Sequence, residues 1–239
     1  MPPDVLFRAL PHWGYSLAVQ LCKLLLVPVL SCGLFTQGAS AQTSSQAPER
    51  PTSDPYTGDL AIFEDPERDE KLQVERVMDL LDISSGSRVA DIGAGSGWFT
   101  VRSARRVGAE GVVYAVEINR DYIRHIKRRA VKEKLPQIRT ILGKPADPLL
   151  PKSGVDAVLL LKTYHEIAKP VPFLRRVRDA MRPNARLGVI DKNGIGSDHG
   201  VNADVVIKEA EEAGFELVEQ HDFVKADEVD YFLIFERRP

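Results

Sequence analysis

The chain has 239 residues, of which 28% are charged, and its formal net charge is -2. This length is sufficient for one domain with a substantial core and a terminal segment. The nearly balanced charge argues against a dedicated nucleic-acid-binding protein, which usually carries an excess of lysine and arginine.

Residues 1–41 differ in composition from the rest of the chain. Arg8 and Lys23 precede the apolar stretch LLLVPVLSCGLF, and the small-residue triplet Ala39-Ser40-Ala41 follows it. This order predicts a secretory signal peptide over residues 1–41. The apolar stretch is short for a membrane span and contains Pro28, which a spanning helix tolerates only with help.

A second interpretation of this leader is open. The sequence VLSC, which ends at Cys32, resembles a bacterial lipoprotein box, in which that cysteine would carry the lipid. An uncleaved anchor is the remaining alternative. The basic residues precede the apolar segment and tend to stay inside, so the sequence predicts an exported domain, periplasmic or secreted.

The positions of the cysteines and the composition of residues 42–59 are consistent with cleavage after Ala41. Cys22 and Cys32 are the only cysteines, so a chain cleaved after Ala41 has neither a disulfide nor a thiolate metal site. Residues 42–59, which begin with a run rich in Ser, Thr, Pro and Gln, are predicted to form a disordered spacer.

From residue 65 onward, helical and strand patterns alternate. The stretch DPERDEKLQVERVMDLLDI predicts a helix with Asp65 as N-cap and Pro66 at the first helical position. Five apolar strands then follow with helices between most of them: RVADIG, GVVYAVEI, QIRTIL, VDAVLLL and RLGVIDK. A helix and two further strands end the chain. This alternation predicts one Rossmann-like α/β domain over residues 60–239, with a parallel sheet covered on both faces.

A glycine-rich loop, Gly93-Ala94-Gly95-Ser96-Gly97, follows the first strand, where such sheets bind their ligands. Glu117 ends the second strand and can accept both hydroxyls of a ribose, as in NAD enzymes and methyltransferases. Trp98 stands where the dinucleotide fingerprint needs Gly or Ala, and no P-loop lysine follows. The loop spacing therefore disfavours both NAD and a phosphate.

Asp91 lies two residues before the first glycine. A carboxylate there would repel a pyrophosphate and would suit the ammonium and sulfonium of S-adenosylmethionine. The alternative is that Asp91 caps the helix that follows the loop.

At this point the sequence resembles a known family. VADIGAGSGWFT followed by VYAVEIN is similar to motif I and the next acidic position of class I S-adenosylmethionine-dependent methyltransferases. The resemblance continues through GKPADPLLPKSGVDAVLLLKTYHEI and FLRRVRDAMRPNARLGVIDK and covers roughly residues 65–236. It implies a mostly parallel seven-stranded sheet with helices on both faces, and S-adenosylmethionine as cofactor.

The resemblance also implies roles for single residues. Asp91 would reach the ammonium of the cofactor and Glu117 its ribose, while the loop backbone would lie along its methionine part at Gly93, Ala94, Gly95 and Gly97. Lys144 stands where many relatives bind the adenine amine through Asp, so Asp147 is the candidate for that contact.

TYHEI follows the fourth strand and is expected near the reactive methyl. Tyr164 and His165 are candidates for positioning the acceptor, and His165 for removing its proton near neutral pH. The alternative is that both only pack against the pocket. His165, Asp191 and His199 are too far apart along the chain for a compact ligand motif, so no metal site is predicted.

The sequence thus predicts an exported, bacterial-type methyltransferase acting on a small-molecule acceptor, with residues 54–64 as a lid. The basic helix at 120–134 is interpreted as a solvated face, so no nucleic-acid partner is expected, and membrane contact is expected only through the leader or a lipidated Cys32. Because S-adenosylmethionine is made in the cytoplasm, an exported, non-catalytic binding module is the rival hypothesis. An NAD-linked oxidoreductase is disfavoured by Trp98 and Asp91.

Overall fold

The computed structural model describes residues 49–226 and 228–238, and all of them belong to one compact unit. The predicted signal peptide at 1–41, the alternative lipidation site Cys32 and the first part of the predicted spacer lie outside the described residues. None of the helices formed by the described residues is long and apolar enough to cross a membrane.

A seven-stranded sheet forms the centre of the domain, in the order β3-β2-β1-β4-β5-β7-β6. The first five strands are parallel, β7 is antiparallel to β5, and β6 is antiparallel to β7. The strands are β1 Arg88–Ile92, β2 Val112–Glu117, β3 Ile138–Leu142, β4 Val155–Leu161, β5 Met181–Asp191, β6 Phe215–His221 and β7 Tyr231–Arg237. The predicted fold class, α/β with a mostly parallel seven-stranded sheet, is confirmed.

Helices cover both faces of this sheet. They are α1 Arg68–Leu72, α2 Val74–Leu80, α3 Trp98–Val107, α4 Arg120–Lys132, α5 Pro170–Ala180 and α6 Ala203–Glu212, with single 3-10 turns at Leu60–Phe63 and Tyr164–Glu166. Apolar residues of α5 and α6 form one core with the sheet, and those of α2 and α3 form the other. Central parallel strands are buried on both faces, which explains their nearly continuous apolar runs.

The first predicted helix is interrupted. Helices α1 and α2 meet at Gln73, whose backbone is left-handed with φ 48°. The carbonyl of Lys71 accepts a hydrogen bond from the N–H of Lys225, so the late segment before β7 packs against the break. The expected N-cap also shifts: the carboxylate of Asp65 accepts the N–H of Glu67, and α1 begins at Arg68.

Residues 49–59, part of the predicted disordered spacer, pack against the domain instead. The guanidinium of Arg50 donates to the carbonyls of Tyr164 and Ile167 and pairs with Glu209 at 2.9 Å. Asp59 caps the 3-10 turn by accepting the N–H of Ala61. One half-buried arginine thus satisfies groups from two separate elements, which a composition rich in Ser and Pro does not reveal.

The strand order reverses at β1. This strand pairs with β2 on one side and with β4 on the other, so the loops that follow β1 and β4 leave the same edge of the sheet in different directions. Open α/β sheets bind ligands in the crevice at such a point. The fold therefore places the glycine-rich loop and TYHEI beside one crevice.

Candidate active site

A cavity of about 400 Å³ lies at this reversal point. Its size is within the range of small-ligand sites in proteins. It is lined by residues from the segment before α1, from the loops after β1, β2 and β3, and from TYHEI, among them Tyr56, Gly93–Ser96, Glu117, Lys144 and Glu166.

The glycine-rich loop is held against β2 by its own backbone. The N–H groups of Gly93 and Ala94 both donate to the carbonyl of Val116, at 2.9 and 3.1 Å. Gly93 has φ +76°, and a Cβ there would lie 2.2 Å from Oγ1 of Thr163. Gly97 follows as the N-cap of α3. The loop backbone therefore forms one wall of the cavity.

Glu117 is fixed where the sequence predicts the ribose contact. Its carboxylate accepts hydrogen bonds from the N–H groups of Ile118 at 2.7 Å, Asn119 at 2.9 Å and Gly95 at 3.1 Å. A carboxylate has about four acceptor positions. The side chain is thus oriented by backbone donors and retains capacity for a ligand hydroxyl.

Asp91 combines the two roles that the sequence left open. Its carboxylate lines the cavity and also accepts the hydroxyl and the backbone N–H of Thr100 in the first turn of α3, the former at 2.5 Å. Burial raises the pKa of Asp91 to about 6, against the opposing effects of the Thr100 hydrogen bonds and the Arg68 charge. It is a helix cap that also faces the ligand space.

Two further residues at this end of the cavity were not predicted as part of the site. The guanidinium carbon of Arg68 lies 4.4 Å from the ring centre of Trp98, and its Nη1 donates to the carbonyl of Phe63. The buried Nε1 of Trp98 has no hydrogen-bond partner among the described residues. Arg68 gives no sequence signal within a highly charged helix, and the bulk of Trp98 indicates from sequence only an obstacle to dinucleotides.

The segment 50–64, here called the strap, lies along the cavity. Its C-terminal end is held by Glu64, whose carboxylate accepts hydrogen bonds from Oγ of Ser96 at 2.6 Å and from Nη2 of Arg129 at 3.1 Å. Although burial acts to raise it, these partners hold the pKa of Glu64 below its usual value. Tyr122 donates its hydroxyl to the carbonyl of Gly58 in the middle of the strap.

Tyr164 does not line the cavity. It is fully buried, and its hydroxyl donates to Glu209 at 2.8 Å beneath the guanidinium of Arg50. Burial, with the adjacent Glu209 charge, raises its pKa well above the usual value. The predicted role of Tyr164 in positioning the acceptor is therefore not supported by its placement, because its polar atom is turned toward α6.

His165 is buried as well and does not line the cavity. Its Nδ1 lies 2.9 and 3.0 Å from the two carboxylate oxygens of Asp191, and the edge of its ring meets His199 with ring centres 5.8 Å apart. The predicted role of His165 as a base is therefore not supported by its placement either. Within residues 49–226 and 228–238, no cluster of three or more His, Cys, Asp or Glu side chains is arranged to hold a metal.

The next residue, Glu166, does line the cavity, and the sequence reasoning missed it. Its carboxyl accepts the backbone N–H of Tyr56 in the strap. Burial raises the pKa of Glu166 to about 7; the charge of Glu117 adds to this effect and that of His165 opposes it. The sequence signal lies one position away, since TYHEI contains this glutamate directly after the Tyr and His that its residue types single out.

Asp147, the predicted adenine contact, is also placed elsewhere. Lys144 and Asp147 form a tight turn through their backbones, and the Asp147 carboxylate accepts the N–H of Leu149 at 2.9 Å. Lys144, Pro145 and Pro148 line the cavity, whereas Asp147 does not. The adenine contact is therefore not assigned to Asp147.

Comparison with known proteins agrees with this geometry. Residues 89–184, from β1 to the first part of β5, match the model of a methyltransferase domain. This match to part of the chain, together with the fold, supports a class I methyltransferase domain. S-adenosylmethionine is the cofactor of this domain.

Curated relatives of the methyltransferase domain differ in what they methylate. The chain is 28% identical over 114 residues to nocamycin O-methyltransferase of Saccharothrix syringae, covering 48% of this chain and 41% of the relative. It is 30% identical over 95 residues to protein-L-isoaspartate O-methyltransferase of Pyrococcus horikoshii, covering 40% and 42%. The matches thus span less than half the length of these relatives.

Solved structures share the fold of the methyltransferase domain. A SAM-dependent methyltransferase from Aquifex aeolicus superposes with a TM-score of 0.67 at 22% identity, over 75% of this chain and 98% of that one. The [4+2]-cyclase SpnF superposes with a TM-score of 0.62 at 15% identity, over 81% and 87%. At these identities the likeness concerns the fold alone, since one fold hosts different chemistries.

The residues of the methyltransferase domain fit S-adenosylmethionine. Glu117 offers a fixed carboxylate for ribose hydroxyls, and the loop at Gly93 provides a backbone wall that a Cβ would disrupt. Asp91, Arg68 and Trp98 line the same cavity and bring to it a carboxylate, a guanidinium and an indole Nε1 that has no partner among the described residues. An amino-acid group, with one ammonium and one carboxylate, needs this combination.

Proposed function

We propose that this protein transfers a methyl group from S-adenosylmethionine to a small-molecule acceptor. The observation that carries the proposal is the carboxylate of Glu117, held by three backbone N–H groups at a cavity walled by the glycine-rich loop. A nucleoside with two adjacent hydroxyls and no phosphate suits this arrangement, because the loop lacks the P-loop lysine and the carboxylate of Asp91 beside it would repel a pyrophosphate.

The buried charges support the same ligand. Arg68 is suited to the carboxylate of the amino-acid part, and Asp91 to its ammonium, since charge-assisted hydrogen bonds are the strong ones in a buried site. The cationic ammonium also favours the ionised form of Asp91, whose pKa burial raises to about 6.

The strap supports a small acceptor. It is fastened by Arg50 at one end and by Glu64 at the other, and Pro55, Tyr56, Thr57 and Phe63 between them line the cavity. A flexible protein segment would have to displace this strap, whereas a small molecule needs only the space beneath it. The curated relatives include methyltransferases named for a small molecule and for a protein residue. The preference for a small-molecule acceptor therefore depends on the strap alone.

The proposal is tested by calorimetric titration of the full chain with S-adenosylmethionine, S-adenosylhomocysteine and NAD. We expect micromolar binding of the first two and none of NAD. Glu117→Ala should weaken binding about 100-fold, because two hydrogen bonds to a charged group contribute roughly 3 kcal/mol.

Glu110→Ala is the matched control, because Glu110 is an exposed carboxylate at the opposite end of β2. It should bind like the wild type. A protein that is folded by circular dichroism and binds neither S-adenosyl compound would overturn the proposal and favour the non-catalytic binding module.

We also propose that the domain is exported, on the strength of the leader alone. The basic residues, the apolar stretch and Ala39-Ser40-Ala41 support processing at Ala41, and the box at Cys32 supports lipidation as the alternative. Cell fractionation with mass measurement of the N-terminus tests this. An unprocessed chain in the cytoplasm would contradict export.

A further inference from the structure

Glu166 is a carboxyl group in the cavity that the binding of S-adenosylmethionine leaves without a role. It lies in the turn after β4, on the opposite side of β1 from Glu117. The two carboxyls differ in support: Glu117 is held by three backbone N–H groups, whereas Glu166 receives that of Tyr56 from the strap. The Glu166 carboxyl is therefore held by the strap and not by the loops that follow β1 and β2.

Charged groups approach Glu166 from several elements. Besides burial, the charges of His165, Glu117 and Asp191 act on its pKa: that of His165 lowers it, and those of the two carboxylates raise it. The other ionisable groups that line the same cavity are Tyr56, Arg68, Asp91, Tyr122, Lys144 and Lys162. Within this set, Glu166 is the carboxyl that is neither capping a helix, as Asp91 does, nor fixed by the loop backbone, as Glu117 is.

We propose that Glu166 is the group that accepts the proton lost by the acceptor during methyl transfer. The inference rests on the proposed function. As the nucleophilic nitrogen or oxygen of the acceptor bonds to the methyl carbon, its proton passes to a carboxylate oxygen of Glu166. The electron pair of the broken carbon–sulfur bond stays on the sulfur of S-adenosylhomocysteine, so the ionised carboxyl ends the step neutral.

This role defines the acceptor class. A base is needed only where the nucleophilic atom carries a proton, so the acceptor is a compound such as an N–H or O–H nucleophile and not a thioether or a tertiary amine. Burial raises the pKa of Glu166 to about 7. A base with a pKa near the working pH combines a substantial ionised fraction with real basicity.

The location of Glu166 is testable without an acceptor. S-adenosylmethionine carries a positive sulfonium, and S-adenosylhomocysteine carries a neutral sulfur in its place. If Glu166 faces the reacting end, the sulfonium lowers its pKa, and binding of S-adenosylmethionine releases more protons than binding of S-adenosylhomocysteine. Asp91 faces an ammonium that both compounds share, so its contribution largely cancels in the difference.

We would titrate both compounds at about pH 7 in two buffers of different ionisation enthalpy. The wild type should release about half a proton more with S-adenosylmethionine, because a group titrating near the working pH is about half protonated. Glu166→Gln should remove this difference and retain binding, since the amide oxygen still accepts the Tyr56 N–H. Glu166→Asp and the exposed control Glu110→Gln should keep it.

The outcomes separate the two proposals. If both compounds bind and release protons equally, or if Glu166→Gln leaves the difference intact, the role of Glu166 is refuted while the cofactor assignment stands. If neither compound binds to folded protein, the proposed function itself fails.

A second measurement covers the case in which Glu166→Gln does not fold. Carbon-13 NMR of the glutamate carboxyls in the wild type should show one group titrating near neutrality, and its pKa should fall with S-adenosylmethionine and not with S-adenosylhomocysteine. A spectrum without such a group would contradict the proposal equally.

Discussion

The loops after β1 and β4 border the same cavity, yet they are built in different ways. After β1, the chain is held by its backbone: Gly93 and Ala94 donate to Val116, and backbone N–H groups orient Glu117. After β4, the chain is held by side chains: the hydroxyl of Tyr164 donates to Glu209, and the ring of His165 contacts the carboxylate of Asp191. The cofactor side is thus set by local backbone geometry, and the acceptor side by partners far along the chain.

This contrast predicts that substitutions on the two sides of the cavity have different effects. A change in the loop after β1 should disturb the cofactor wherever it alters the backbone. A change near TYHEI or the strap should act through charge and packing, with smaller effects on cofactor affinity. Four substitutions sharpen the contrast.

The largest effect is expected from Gly93→Ala. The new Cβ would lie 2.2 Å from Oγ1 of Thr163, in a backbone conformation with φ +76°. We expect the affinity for S-adenosylhomocysteine to fall by more than about 100-fold, since moving the loop removes several contacts at once. Gly86→Ala is the control, because it has a similar φ of +82° and open space around its Cβ. Equal losses in both variants would show that strain, not the clash, is responsible.

Arg68→Gln should discriminate between two ligands. We expect about a 30-fold loss of affinity for S-adenosylhomocysteine, which corresponds to a charge-assisted hydrogen bond of about 2 kcal/mol. Affinity for methylthioadenosine, which lacks the amino-acid carboxylate, should not change. Arg76→Gln is the control, since Arg76 also stacks on an aromatic ring, 4.0 Å from the centre of Phe223. A parallel loss for both ligands would remove Arg68 from carboxylate recognition.

Asp91→Asn should change the pH dependence of stability. Burial raises the pKa of Asp91 from 3.8 to about 6, so its contribution to stability is fully present below pH 3.8 and is lost as the pH rises through 6. The variant should be more stable than the wild type above pH 6, by up to about 3 kcal/mol, and this gain should shrink at lower pH. Urea unfolding at several pH values measures it. A gain that does not vary with pH would mean that the carboxyl ionises normally.

Glu64→Gln should have the smallest effect. Removing the charge weakens the contacts with Ser96 and Arg129 that fasten the strap, so S-adenosylhomocysteine should dissociate about threefold faster, a change typical of a partly exposed ion pair. Stopped-flow displacement measures this rate. Glu67→Gln, which breaks the exposed pair with Lys71, is the control. Unchanged dissociation would show that the strap does not limit exit of the ligand.

The fold and the cofactor side were predictable because their determinants are local. Alternating apolar runs identified all seven strands, and loop spacing with Glu117 located the glycine-rich wall. The break at Gln73 was not predictable, because it depends on a contact with Lys225, which is remote in sequence.

The acceptor side was less predictable for the same reason. Residue types pointed to Tyr164 and His165 as reactive groups, but which of three successive side chains faces the cavity depends on distant partners. Glu209 of α6 binds the Tyr164 hydroxyl, and Asp191 of β5 binds the His165 ring, which leaves Glu166 turned toward the ligand space.

The pairing of Arg50 with Glu209 joins residues 159 positions apart and so constrains the timing of folding. During synthesis the strap emerges before the sheet that it covers, and its anchor Glu209 on α6 follows Arg50 by 159 positions. A ribosome-bound chain that stops before α6 lacks the ion pair with Glu209 and can hold this end of the strap only through the carbonyls of Tyr164 and Ile167. This end of the cavity is therefore completed only after α6 has been made, and capture of ligand by a shorter partial chain is disfavoured.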